Sequence, residues 1–257
     1  MQKFNYHTHT LRCGHAGGDD EQYVKAAIAA GYEIVGFSDH SPYPGVIHPG
    51  DRMRMDELDG YLASIRGLGE KYKDRIELKV GLEIEYFPEM EDFYRDLRKI
   101  TDYLIVGQHN RILDGMEYDK WCDDEDVLYY AWQIRQCVEH GFADIIAHPD
   151  YFMLGRKGWS AACEAAARDI CAVSLQYNIP LELNLNGMRY GKQHYDDRLS
   201  YPYPYRPFWE IISETQAPVI YGVDAHKPMN FMEKERYVKV MEDIKDLELN
   251  FITDFRI

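Results

Sequence analysis

The chain has 257 residues, 46% hydrophobic and 28% charged, which suits one sizeable α/β domain spanning residues 1–257. Its 44 acidic against 29 basic residues leave a formal net charge of −15, which argues against nucleic acid as a general partner. No apolar run is long enough to span a bilayer, and MQKFNYHTHT lacks the apolar core of a signal peptide, so no membrane partner and a cytoplasmic setting are expected.

Along the chain, short β-like runs alternate with helical patterns. The first run, near residues 3–7, precedes DDEQYVKAAIAAG, which opens on acidic residues and stops at Gly31 as helix ends prefer. A run near 33–38 is followed by MDELDGYLASIRGLGEKY, with apolar residues at helical spacing. Runs near 76–84 and 102–107 precede the helical segments MEDFYRDLRKI and DEDVLYYAWQIRQCVEHG. Further runs near 142–147, 180–185 and 217–223 precede SAACEAAARDICAVSLQYN, PYRPFWEIISETQ and EKERYVKVMEDIKDL. Alternation of this kind predicts a parallel sheet, either a closed barrel or an open doubly wound sheet.

Polar ligand types end nearly every run: KFNYHTH, IVGFSDH, LKVGLEIEY, YLIVGQH, DIIAHPD and VIYGVDAH. His7 and His9 share one side of an extended strand, and Asp224 and His226 repeat that spacing with a carboxylate. Glu83 lies inside an apolar strand, where a bare carboxylate is costly without a cation. Together with Asp39, His40, His109 and His148, these residues predict a polynuclear metal site of imidazole and carboxylate, suited to Zn, Fe or Mn. Shared metals require the strand ends to converge, which favours a barrel of about seven strands over an open sheet. The five cysteines, Cys13, Cys122, Cys137, Cys163 and Cys171, form no CxxC pair and are expected as buried free thiols. Cys13 stands between His9 and His15, near the metals, and is not expected to be a ligand. The tyrosine-rich YPYPYRPFW at 201–209 reads as loop or surface packing.

The ordered set HTHT (7–10), GH (14–15), GFSDH (36–40), GLEIEYFP (81–88), His109, AHPD (147–150) and DAH (224–226) resembles the polymerase and histidinol phosphatase (PHP) superfamily. Within it the chain is most similar to the PHP-type histidinol-phosphate phosphatases, with support from RMRMDELDGYLASI and LELNLNGMRY. The resemblance implies a distorted (β/α)7 barrel with a trinuclear centre at the C-terminal rim of its strands. It implies that His7, His9, Glu83 and Asp224 hold a first metal. Glu83 would bridge to a second, completed by His109 and His148, while His15, His40 and His226 hold a third. Glu83, Asp224 and His226 are then the catalytic members, and Asp39 falls outside the ligand set. Two departures stand beside these matches: Gln108 before His109, and Val223 where the resembled enzymes have Ser before Asp. Neither removes a ligand.

The implied activity is hydrolysis of a phosphate monoester, with histidinol phosphate the leading substrate. Arg156 and Arg189 are the expected phosphate-binding residues, because a guanidinium forks onto two oxygens; Arg52, Arg54 and Arg198 are weaker candidates. The alternatives are another small phosphate ester or nucleotide as substrate, and a non-catalytic metal-binding module.

Overall fold

The computed structural model describes residues 2–46, 51–196 and 198–257. Eight strands form one all-parallel sheet: β1 (Phe4–Asn5), β2 (Ile34–Phe37), β3 (Glu77–Ile84), β4 (Tyr103–Val106), β5 (Ile145–Ile146), β6 (Leu181–Asn184), β9 (Pro218–Gly222) and β10 (Asn250–Phe251), paired in that order. A small antiparallel hairpin, β7 (Gln193–His194) with β8 (Leu199–Ser200), lies in the loop after β6. The helices α1 (Asp20–Ala30), α2 (Leu58–Tyr72), α3 (Glu91–Ile100), α4 (Asp124–Glu139), α5 (Ala161–Tyr177), α6 (Arg206–Thr215) and α7 (Lys234–Asp243) fill the crossovers. Each expected run and helix is present; β10 and the hairpin were not expected.

Strands β1–β6 and β9 make the seven-membered ring, and its last joint is where it is distorted. Near the C-terminal rim, β1 and β9 meet in one parallel bridge, Thr8 to Ala225. The His9 amide donates to the Ala225 carbonyl at 2.9 Å and the Ala225 amide to the His7 carbonyl at 3.2 Å. Below that bridge side chains substitute for backbone pairing. The Gln2 amide engages both the N–H and the C=O of Tyr221, and Asn5 Oδ1 accepts from the Val223 amide at 2.8 Å. At the other end of β9, β10 pairs at Pro218 and Val219.

The strands alternate by the period-two rule. In β3, Val80, Leu82 and Ile84 join the core beneath the helices, leaving Glu83 to the barrel interior. In β6, Leu181 and Leu183 do the same, leaving Glu182 and Asn184. A separate apolar layer of Phe4, Tyr6, Ile34, Tyr103, Ile105, Ile145 and Ile220 closes the barrel below these polar groups, with Phe255 and Ile257 of the C-terminal tail packed on it. The helix ends follow local chemistry: Asp19 and Asp123 form capping boxes on α1 and α4, and Gly31 takes a φ of 87° at the end of α1.

Two glycines are dictated by the interior carboxylates. A Cβ on Gly107 would collide with Glu83 Oε1, and one on Gly222 with Glu182 Oε1. Gly67 in α2, by contrast, faces open space. Urea unfolding should therefore show opposite signs: Gly222→Ala loses about 1–3 kcal/mol by overpacking, and Gly67→Ala gains roughly 0.5–1 kcal/mol as a helix-interior alanine. A neutral Gly222→Ala would contradict this placement of Glu182.

Candidate metal centre

The strand ends and the first loop bring all nine expected ligands into one cluster. Five donor separations define its centre: His7 Nε2 to His9 Nε2 at 3.0 Å, His7 Nε2 to Glu83 Oε2 at 3.3 Å and to Asp224 Oδ1 at 3.5 Å, and His9 Nε2 to Glu83 Oε2 at 3.4 Å and to Asp224 Oδ1 at 3.2 Å. A tetrahedral ion with bonds near 2.0–2.1 Å has ligand edges of roughly 3.3 Å, a length that these five separations approach. The other oxygen of Glu83 faces elsewhere: Oε1 lies 2.8 Å from His148 Nε2 and 3.7 Å from His109 Nε2. His15 and His226 approach at 2.8 Å between their Nε2 atoms, and with His40 they form a third set of donors lying within 4.8 Å of one another. His40 Nδ1 is also 3.1 Å from Glu83 Oε2, and His226 Nδ1 is 3.1 Å from Asp224 Oδ1, so the three sets share edges.

The fit to a cation rests on unsatisfied atoms. Glu83 Oε2 and Asp224 Oδ1 are buried without a hydrogen-bond partner. Leaving such an oxygen unpaired is costly, and a metal removes that cost. Burial pushes both carboxyls up, but surrounding imidazoles outweigh it and hold them well below the usual range. These are His40, His7 and His109 around Glu83, and His7 and His226 around Asp224. Burial drives His9 and His109 down to about 3, so their rings are neutral and available as donors.

The supporting residues were not foreseen. Glu182 Oε1 is 2.8 Å from His7 Nδ1, and its Oε2 accepts the His148 amide at 3.1 Å. A carboxylate at Nδ1 leaves Nε2 of His7 to face the centre. Burial lowers His7, but Glu182, Asp224 and Glu83 outweigh it and raise it well above the ordinary value, so a proton competes with metal there. Asn184 and Asn186 donate to Asp224 Oδ2 at 3.2 and 3.1 Å, which turns Oδ1 inward. Glu85 Oε1 accepts the amides of His109 and Asn110 at 3.0 and 2.6 Å and fixes that loop. The signal was present in GLEIEY and LELNLN, where acids and amides recur every second residue in apolar strands. His148 and Asp224 sit at φ 26° and 48°, left-handed values that cost about 1–3 kcal/mol each for residues other than glycine.

Asp39 lies outside the cluster, as expected. It is buried and accepts from the Thr10 amide at 2.6 Å and the Thr10 hydroxyl at 2.5 Å, and burial raises its carboxyl to about 6. It thus pins the loop between His9 and His15. All five cysteines are buried free thiols. Cys13 Sγ comes within 4.8 Å of donor atoms of His9 and His226, and burial pushes its thiol up to about 12.

The arginines require a correction. A cavity of about 250 Å³ opens over the cluster, and Arg189 and Arg52 line it. Arg156 does not. It lines a different cleft beside Trp121 and Trp159, where its guanidinium donates to the Cys122 carbonyl at 2.9 Å, Asp124 at 2.6 Å and Ser160 at 3.1 Å. The loop after AHPD turns as a short 3-10 helix, Tyr151–Gly155, which presents Tyr151 rather than Arg156 to the cavity. Arg54 and Arg198 do not line it either.

The family model described as PHP domain matches residues 5–186, more than half of the chain. The chain belongs to the PHP family. Among relatives of this PHP protein is the "Probable histidinol-phosphatase" of Deinococcus radiodurans, 26% identical over 94% of this chain and 92% of that one. The "Histidinol-phosphatase" of Bacillus subtilis is 34% identical over 36% of this chain and 37% of its own length. The fold is shared with the histidinol phosphate phosphatase of Lactococcus lactis, solved with zinc, L-histidinol and phosphate: TM-score 0.68, 18% identity, 98% of this chain and 95% of that one. A structure described as a histidinol phosphatase candidate from Listeria monocytogenes gives a TM-score of 0.72 at 22% identity, over 91% of this chain and 100% of that one. No helix among the described residues is long and apolar enough to cross a membrane.

Removing the carboxylate behind His7 should weaken the centre without touching a donor. Glu182→Gln is expected to lower metal affinity roughly 10- to 100-fold, read by competition with a chromophoric chelator. Unchanged affinity would show that the His7–Glu182 contact does not orient the ligand.

Proposed function

We propose that this PHP protein hydrolyses a phosphate monoester in a metal-dependent reaction, with L-histidinol phosphate as substrate and L-histidinol and phosphate as products. The observation that carries the reading is the pair of unsatisfied buried oxygens, Glu83 Oε2 and Asp224 Oδ1, each within 3.5 Å of the Nε2 atoms of His7 and His9. The names of its relatives support the substrate. We assign three ions, Zn, Fe or Mn. The first is held by His7, His9, Glu83 and Asp224, the second by Glu83, His109 and His148, and the third by His15, His40 and His226. When bound, such ions supply Lewis acidity that offsets phosphoryl charge and make water a nucleophile near neutral pH.

The chain's own residues do the positioning. Glu83 spans two sets of donors, so it sets the spacing of the centre. Asn184 and Asn186 hold Asp224, and Asn230 Oδ1 accepts the His226 amide at 3.0 Å and fixes that ring at the rim. Glu83, Asp224 and His226 are therefore the proposed catalytic ligands. Arg189 forks onto the phosphate, while Arg52 is held by Glu85 at 3.1 Å and serves mainly to fix that carboxylate. Arg156 has no place in this reading. A cytoplasmic setting suits the proposed biosynthetic reaction.

Protein loaded with Mn or Zn should release phosphate from histidinol phosphate, and metal analysis should account for the ions. Release only from other phosphomonoesters would remove the substrate; no turnover of any would favour a non-catalytic metal module. Arg189→Ala should lower kcat/KM roughly 10- to 100-fold, the worth of a charged hydrogen bond to phosphate. Arg156→Ala should leave kcat/KM within about twofold, because Arg156 lines a different cleft and not the cavity over the cluster.

A further inference from the structure

Asp224 turns Oδ1 toward the cluster because its other oxygen is taken. Two buried amides take it: Asn184 Nδ2 donates to Oδ2 at 3.2 Å and Asn186 Nδ2 at 3.1 Å. A side-chain amide has nearly the same shape either way round, with donors at one end and an acceptor at the other. Turned over, either amide would set a carbonyl oxygen against the carboxylate. The donor set therefore depends on whatever fixes the two amides.

For Asn184 the local backbone does so. Its Oδ1 accepts from the Asn186 and Gly187 amides at 2.8 and 3.3 Å, and its Nδ2 also donates to Glu182 Oε2 at 3.0 Å. For Asn186 the donor comes from a distant element. Arg236, half-buried in the first turn of α7, donates from Nη1 to Asn186 Oδ1 at 2.9 Å. Glu233 Oε2 lies 2.6 Å from Arg236 Nε and steadies the guanidinium. A guanidinium has only donors and an ionised carboxylate only acceptors. An amide held between Arg236 and Asp224 therefore has one orientation that makes both hydrogen bonds, while the other makes neither. The relay ends at Asp224 Oδ1, the buried oxygen without a hydrogen-bond partner, 3.2 Å from His9 Nε2.

We infer that Arg236 is a positioning residue for the metal centre: it sets the amide of Asn186, and through that amide the donor oxygen of Asp224. It acts on the ligand at one remove, from a helix outside the barrel. The inference rests on the assignment of Asp224 as a metal ligand and is independent of the substrate. Loss of Arg236 should be felt in metal affinity, and only while Asn186 is present.

Zinc affinity of the full chain, read by competition with a chromophoric chelator, tests this. Arg236→Met keeps the aliphatic stem and removes the donors, and should weaken zinc binding roughly tenfold, the lower end for a lost outer hydrogen bond to a ligand. Arg236→Lys, again a donor with no acceptor, should recover most of that loss. In an Asn186→Ala background Arg236→Met should cost nothing further, because the amide it orients is gone. Glu233→Gln removes the neighbouring ion pair alone and should stay within about twofold of the parent. Parent-like affinity in Arg236→Met overturns the inference, as does an equal further loss in the Asn186→Ala background, the same loss in Glu233→Gln, or no recovery with lysine. A parent that shows this pattern yet hydrolyses no phosphate ester removes the activity proposed above and leaves the role of Arg236 standing. A parent that binds no zinc removes both.

Discussion

The structure turns on a buried carboxylate, Glu83, at the centre of a parallel barrel. Its side chain is almost wholly withdrawn from water, and four imidazoles approach its two oxygens within 3.4 Å: His7, His9 and His40 at Oε2, His148 at Oε1. A charge in that position is tolerable only if the surroundings compensate it. Much of the neighbouring architecture serves that compensation. Gly107 is glycine because Glu83 occupies the space a Cβ would need. The pairing of β2 with β3 continues past the strand proper, with Glu83 donating to the Asp39 carbonyl and accepting from the Ser41 amide, which fixes its backbone.

Around this centre the barrel is layered by polarity. Apolar residues seal its lower half, the C-terminal tail covers that seal, and donors occupy the upper half. A second carboxylate, Glu182, lies behind the donors and ties His7 to the backbone of His148. Gly222 stands to Glu182 as Gly107 stands to Glu83. The ring closes at Thr8–Ala225, between His7 and His9 on one strand and Asp224 and His226 on the other. Closing the barrel and assembling the first donor set are therefore one structural event. The left-handed backbone at Asp224 and His148 is the local strain this convergence imposes.

Much of this was legible from the residues alone. A polar ligand type at the end of nearly every apolar run pointed to the side chains that converge, because a parallel barrel places all such ends on one rim. His15 broke the strand-end rule, since it lies in the first loop; its motif rather than its period marked it. Asp39 satisfied the rule and is nonetheless a loop anchor, because the adjacent His40 takes the inward direction. Glu182, Asn184 and Asn186 carried the same alternating signal as Glu83, but they act one layer behind the donors, and alternation cannot separate the two layers.

The sequence by itself determined the fold class, the seven-strand ring and which ligand-type side chains meet at the rim. Those properties follow from hydrophobic period, helix caps and the cost of burying a lone carboxylate, all of them local or nearly so. Only the tertiary structure decided which charges share the cavity. Arg156 lies one loop from the metals in sequence but turns away to Asp124, because the helical turn Tyr151–Gly155 rotates it out. Asp119, unremarkable as a residue in GMEYDKW, is brought in by the return of its loop onto His109. The direction of a side chain in a loop depends on contacts far along the chain, and no local pattern encodes those contacts.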